Sequence, residues 1–391
     1  MIAYYCCALV SFLLFALSDK YGRKLVLLAC VTGQLFYSAI HVVQFHYKLP
    51  LYFQIVANTI NGLTGGQSVL LGVAFAGLAD ISQHSGSKYR TLRISIGELC
   101  IGFGGFICFE MNTLLIRYFN LWIALVGTCL LQVLLCFYIF FILTNRDQQF
   151  SDKTVSSSLV NKYKNSFRAY LRYRPNNGTI ILWLLVGVYI FNVCRDIGQS
   201  AVLDLYEKNS PFCWTREQVS SAKSLTELVF AIGILLSILL QKLNSSETIQ
   251  NSNFGKQSNF GLSKRDFNFY IITTGILVNI ISSFLYGFSE FYKSSYMLYS
   301  AIIVPVILAP AITPLIKSEW LEFCSNDEHG AVFGVPTLIM QVSTGLAGIF
   351  YQSLYEMIFG GVFFVLSAGF DCLSLVLFLV ACFLITKSGK Q

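Results

Sequence analysis

Charge is scarce in this chain. Only 12% of its 391 residues are Asp, Glu, Lys or Arg, 55% are hydrophobic, and the mean hydropathy is +0.63; soluble domains carry roughly 25% charge. That deficit excludes an ordinary water-soluble fold, because apolar runs of about 18 residues or more recur from end to end. Histidine is scarcer still: His41, His46, His84 and His329 are the full set. None makes a metal-ligand or nucleophile spacing with Asp, Glu or Cys, so the chain reads as no enzyme, with no metal and no cofactor. The first apolar segment, Ile2 to Leu17, has no basic stretch ahead of it and no small-residue cleavage site. It therefore reads as a membrane span and not as a secretory leader. A disulfide framework is not indicated either, since most of the twelve cysteines, such as Cys6, Cys7, Cys30, Cys100, Cys129, Cys136, Cys372 and Cys382, lie within apolar runs. They read as small buried hydrophobes.

What remains is a series of eleven apolar runs. They are Ile2 to Leu17, Leu25 to Phe45, Leu51 to Ala79, Ile94 to Ile116, Leu121 to Thr144, Thr179 to Tyr206, Ser221 to Leu240, Phe269 to Phe288, Tyr296 to Ile316, Ala331 to Tyr351 and Phe359 to Ile385. With Met1 outside, alternate loops and the C-terminal tail face the cytoplasm and hold 20 of the 27 Lys and Arg residues, whereas the opposite loops hold five. The excess of cytoplasmic Lys and Arg selects this orientation. The net charge of +7 thus reports topology; the expected surroundings are a lipid bilayer, with no nucleic acid partner. The longest cytoplasmic loop, 145–178, is Ser-rich and basic and reads as a linker. It separates five spans from six, the pattern of a six-plus-six protein without its first helix.

Four stretches carry motifs. The first cytoplasmic loop reads Leu17-Ser18-Asp19-Lys20-Tyr21-Gly22-Arg23-Lys24, a tight turn in which Gly22 reverses the chain and Arg23 can pair with a carboxylate. The second is Ala79-Asp80-Ile81-Ser82, followed by Arg90-Thr91-Leu92-Arg93-Ile94 and Glu98-Leu99-Cys100-Ile101-Gly102. The third is Leu203-Asp204-Leu205-Tyr206-Glu207 with Pro211-Phe212-Cys213-Trp214. The fourth is Ile312-Thr313-Pro314-Leu315-Ile316-Lys317 with Glu328-His329-Gly330-Ala331-Val332-Phe333. The first resembles the loop between helices two and three of the major facilitator superfamily, except that Phe15 stands where that motif begins with Gly. The other three resemble solute carrier family 46, the proton-coupled folate transporter group, and together they sample nearly the whole chain.

The resemblance implies an all-α polytopic membrane protein with the major-facilitator fold of two six-helix bundles, about 11 of the twelve helices being in this chain. Residues 1–144 then form the N-terminal bundle (helices 2–6 of the family), 145–178 the linker loop and 179–391 the C-terminal bundle (helices 7–12). It also implies proton coupling at Glu98 and a basic residue for substrate and proton handling at Lys317. The family's seventh-helix histidine corresponds here to Asp196, so Asp196 joins Glu98 as a proton-coupling candidate.

Physical reasoning adds to this list, because an ionisable side chain at bilayer depth costs at least ~2.5 kcal/mol and needs a partner, a wet cavity or a task. Glu98 either couples protons or forms a structural ion pair with an arginine such as Arg93. Arg195 either faces an anionic substrate or snorkels to the outer interface; it neighbours Asp196, and side chains about 100° apart on a helix cannot simply neutralise each other. Asp371 lies near the midplane of the last span with no partner evident in the sequence. Lys223 and Glu227 have the spacing of an intrahelical salt bridge. Arg195, Lys317 and Asp371 are therefore the substrate-binding candidates, and Asp19, Arg23, Asp80, Arg90 and Arg93 the gating candidates. The Gly62–Gly66 and Gly102–Gly105 stretches read as close-packing surfaces.

The expected function is secondary active transport by alternating access, with protons driving symport of a mid-sized organic anion such as folate. The partners are then a small-molecule organic anion and protons. The alternative is a non-transporting membrane receptor or chaperone, or an inactive truncated isoform. The plasma membrane is the expected location and the lysosomal membrane the second.

Overall fold

In the computed structural model the described residues are 2–84, 90–143, 171–172, 174, 177–253, 264–322, 329–357 and 360–388, so the expected linker falls almost wholly outside them. The described residues hold helices and no strand. A chain without water around it must satisfy its N–H and C=O groups internally, and long apolar runs poor in proline do so as helices.

The elements are α1 (Ile2–Tyr21), α2 (Arg23–Tyr47), α3 (Tyr52–Leu63), α4 (Gly66–His84), α5 (Arg90–Tyr118), α6 (Leu121–Phe137), α7 (Gly178–Lys208), α8 (Arg216–Asn253), α9 (Lys264–Phe291), α10 (Ser295–Ile303), α11 (Ile312–Glu322), α12 (His329–Met357) and α13 (Val362–Ser388). Nine stretches among the described residues are long and apolar enough to cross a membrane, and a bent pair makes a tenth. The first expected span lies within the 20 residues of α1. Each of the eleven expected runs falls on helix among the described residues; most of these helices extend past the expected ends, but helix in the fifth run stops at Ile142 and in the last begins at Val362. The expected cytoplasmic loop 241–268 is the main boundary correction, since α8 continues to Asn253 and α9 begins at Lys264.

Two runs expected to be single helices are interrupted. The third breaks at Thr64–Gly65, where Gly65 (φ 98°) and Gly66 (φ 54°) take left-handed backbone, but the helices on either side still form one 30-residue span, Tyr52–Ile81. The ninth bends by 45° between Ser295–Val306 and Ala309–Leu321. Pro305 and Pro310 sit in the short tight turns Val304–Val306 and Ala309–Ala311, and Leu308 between them has φ 68°. Proline has no N–H to continue the ladder, so the helix stops and restarts. Gly233 of α8 and Gly275 of α9 lie directly against this segment; a Cβ at Gly275 would come 2.8 Å from the Leu308 carbonyl oxygen.

The chain forms two compact units. The first comprises Met1–Gly86, Met111–Thr179 and Leu321–Ile349. In it Gly22 (φ 91°) makes the expected reversal between α1 and α2. Phe15, the large residue in place of the motif's glycine, is buried against Gly72 of α4 and Gly334 of α12. The second unit comprises Ser87–Glu110, Ile180–Trp320 and Phe350–Gln391. Its core includes Phe269 of α9 edge-on to Phe378 of α13, at 5.7 Å between ring centres. Outward positions such as Leu130, Leu134 and Phe141 are exposed, as befits side chains that face lipid.

Candidate transport site

The second compact unit holds two buried ion pairs. On α5, Glu98 lies two turns past Arg90; on α11, Lys317 is the sixth residue. The Lys317 Nζ is 2.6 Å from Glu98 Oε1, with the lysine side chain 11% exposed and the glutamate 7%. Lys317 also stands 6.0 Å from the centre of the Tyr189 ring, which meets Trp320 edge-on. Nearby, the hydroxyls of Thr91 and Ser318 are 2.7 Å apart. Two charges out of water hold each other because neither has bulk solvent as an alternative. Protonation of Glu98 would cancel the attraction and leave the ammonium available to another anion.

The other pair joins α7 to α13. Arg195 Nε donates to Asp371 Oδ1 at 3.3 Å, and Asp371 is wholly buried. The guanidinium also reaches Gln199 Oε1 at 3.3 Å, one turn along α7, and Asp196 Oδ1 at 3.1 Å. Gln199 in turn donates to Ser283 of α9 at 2.9 Å and Ser367 of α13 at 2.8 Å. Ser283 Oγ approaches Asp371 Oδ2 at 3.5 Å, and the Tyr351 hydroxyl of α12 approaches Ser367 at the same distance. Nearly every polar atom of this cluster thus has a partner, as buried polar networks require.

A third type of contact recurs in each unit. In the first, Arg23 at the start of α2 donates through Nε and Nη2 to Asp80 Oδ2, at 3.2 and 3.0 Å, and through Nη1 to Ser18. Asp80 stands in the last turns of α4. In the second, Arg265 at the start of α9 lies 3.6 Å from Glu319, which is buried in the last turn of α11 and accepts from Asn268 at 3.3 Å. Each clamp links the first turn of one helix to the end of another, so each must open if those ends separate.

The structure regroups the sequence candidates. Glu98 pairs with Lys317 rather than Arg93, which is half-buried in the first turn of α5. Arg195 is buried and does not snorkel, and its flexible side chain does reach Asp196 although the two backbone positions diverge; its other partner is Asp371, for which the sequence showed no evident partner. Lys223 bonds Asp204 at 2.9 Å rather than Glu227, whose carboxylate sits against Gly105. Asp19 and Arg90 have side chains outside the described residues. Gln199, Ser283, Ser367, Arg265 and Glu319 were missed. The i,i+4 spacing of Arg195 and Gln199 was a usable signal, but serines within apolar runs gave none.

A model of the Major Facilitator Superfamily matches residues 1–348. The chain belongs to that superfamily of membrane transporters. It is 23% identical over 369 residues to the proton-coupled folate transporter of Bos taurus, covering 92% of this chain and 72% of that protein. It is 24% identical over 369 residues to the lysosomal proton-coupled steroid conjugate and bile acid symporter SLC46A3 of Mus musculus, covering 92% of this chain and 73% of that one. Both relatives are members of solute carrier family 46, in keeping with the motifs. Among solved structures, the human organic anion transporter MFSD10 superposes with a TM-score of 0.70 at 16% identity, over 96% of this chain and 82% of that one. The E. coli fucose:proton symporter FucP gives 0.67 at 12% identity, over 97% and 89%. These likenesses carry the fold.

Proposed function

We propose that this chain is a proton-coupled symporter that moves a mid-sized organic anion by alternating access. The observation that carries the reading is the buried Glu98–Lys317 pair, a carboxylate and an ammonium 2.6 Å apart on helices separated by more than 200 residues of sequence. A proton on Glu98 and an anion on Lys317 are two ways of breaking one contact, so binding of each favours binding of the other. Arg195 supplies a second cation for an anionic group, and the Arg23–Asp80 and Arg265–Glu319 clamps act as gates. The related transporters of folate, steroid conjugates and bile acids suggest the substrate class: rigid ring systems bearing carboxylate or sulfate.

In this reading the chain works as two helical bundles, 1–144 and 179–391, joined by the 145–178 linker, in a membrane with an acidic outer face. The plasma membrane is the first candidate and the lysosomal membrane the second.

The test is uptake of labelled folate and labelled taurocholate by cells expressing the full chain, at about pH 5.5 and pH 7.4, beside Glu98→Gln. Acid-stimulated uptake of either compound that disappears in the variant supports the proposal. Absence of any uptake, with the protein at the cell surface, sinks it and favours a non-transporting role.

A further inference from the structure

The Arg195 cluster has an uneven charge count. One guanidinium faces two carboxylates, Asp371 at 3.3 Å and Asp196 at 3.1 Å. The other groups packed on it, Gln199 of α7, Ser283 of α9, Ser367 of α13 and Tyr351 of α12, are neutral amides, hydroxyls or a phenol. The cluster therefore carries a net charge of −1 when both carboxyls are ionised, and an arriving monoanion would raise that to −2. A low-dielectric site does not hold such an excess, because like charges a few Å apart repel far more strongly there than in water.

The two carboxylates differ in how they meet the problem. The Asp196 side chain is 53% exposed, so the protein does not enclose it. Asp371 is fully buried; apart from Arg195, its only further hydrogen-bond partner among the described residues is the Ser283 hydroxyl at 3.5 Å. If a substrate anion takes Arg195, Asp371 is left as a buried carboxylate without a cation, unless it takes up a proton.

We propose that Asp371 is a second proton carrier of this transporter, exchanging Arg195 for a proton each time the substrate's carboxylate, sulfate or sulfonate occupies the guanidinium. In balanced form, a proton from the outer aqueous phase binds one Asp371 oxygen as the Arg195–Asp371 contact breaks and the anion's contact to Arg195 forms. The anion and the proton leave together on the inner side, and the Arg195–Asp371 contact re-forms. The net charge of the cluster stays at −1 throughout. This rests on the proposed transport function but assigns coupling to α13, separately from Glu98 on α5.

The experiment uses the full chain purified and reconstituted in liposomes, with labelled folate and labelled taurocholate as probes. Two quantities are read: accumulation driven by an imposed pH gradient, and exchange of internal for external probe at equal pH. Asp371→Asn keeps the cluster neutralised as if permanently protonated. It is expected to lower gradient-driven accumulation at least about tenfold while slower exchange persists, with only the pH response of Glu98 remaining. Arg195→Gln is expected to lose both. Gradient-driven accumulation by Asp371→Asn equal to the parent's, with Glu98→Gln inactive, overturns this inference and leaves the proposed function standing. No transport by the parent protein overturns both. If Asp371→Asn does not yield folded protein, Asp371→Glu serves instead: it retains a carboxyl at a longer reach, and a shifted pH midpoint of accumulation supports the inference while an unchanged one overturns it.

Discussion

Lys317 and Glu98, 219 positions apart in sequence, meet at 2.6 Å in a site that excludes most solvent. Removing one member of such a pair strands the other, whereas replacing both removes the problem. Lys317→Ala is therefore expected to destabilise the protein by ~3–5 kcal/mol. The double variant Glu98→Gln with Lys317→Met should recover most of that loss, since it leaves no unpaired charge. Thermal unfolding of the purified protein in detergent measures both. Equal destabilisation by the single and double variants would show that the pair is not the source of the effect.

The glycines of α5 offer a contrast within three residues. A Cβ on Gly102 would come 2.7 Å from Phe230 and 3.2 Å from the Ala231 backbone nitrogen of α8, whereas one on Gly104 would meet nothing within 4 Å. Gly102→Ala is expected to cost ~1–3 kcal/mol through forced separation of packed helices. Gly104→Ala should be neutral or slightly stabilising, because alanine is the better helix former. Paired melting curves decide the matter, and a Gly104 variant as damaged as the Gly102 one would refute the packing account.

Arg23 and Asp80 form a two-donor contact at 3.0–3.2 Å that is partly open to solvent. Such a contact contributes less to stability than a fully buried pair, since water competes for the 32% exposed Asp80 carboxylate. Its expected effect is on rate: Arg23→Ala and Asp80→Asn should each lower uptake severalfold with little change in melting temperature. The exchanged pair, Arg23→Asp with Asp80→Arg, should restore part of the rate. Surface expression must be measured alongside uptake, and a large fall in melting temperature for either single variant would contradict this reading.

Phe15 fills space left by two glycines, Gly72 and Gly334, in the first unit. Phe15→Ala would leave a cavity there, at an expected cost of ~3–5 kcal/mol. Phe15→Leu, which refills part of the volume, should lose clearly less. A Phe15→Ala protein that melts with the parent would mean the ring is not packed as described.

How much of this could be read from the chain alone varies with the range of the interaction. The spans were legible because bilayer thickness imposes a length on every apolar run. The reversal at Gly22 was legible because it depends on a few adjacent residues. The bend around Leu308 was hidden: Pro305 and Pro310 announce a defect, but the apolar run continues across it and hydropathy does not register a change of direction.

Read alone, then, the sequence determined the solvent, the order of the apolar helical runs, and which few ionisable residues lie within them. It did not determine their partners. For Glu98 it offered proton coupling or a pair with a nearby arginine, and for Asp371 no partner, because spacing along a helix constrains only residues within about one turn of each other. Tertiary structure alone chose Lys317 for Glu98 and Arg195 for Asp371, at separations of 219 and 176 residues. The reason is that a charge removed from water is satisfied by whatever lies within about 4 Å of it, and those neighbours come from how the helices pack.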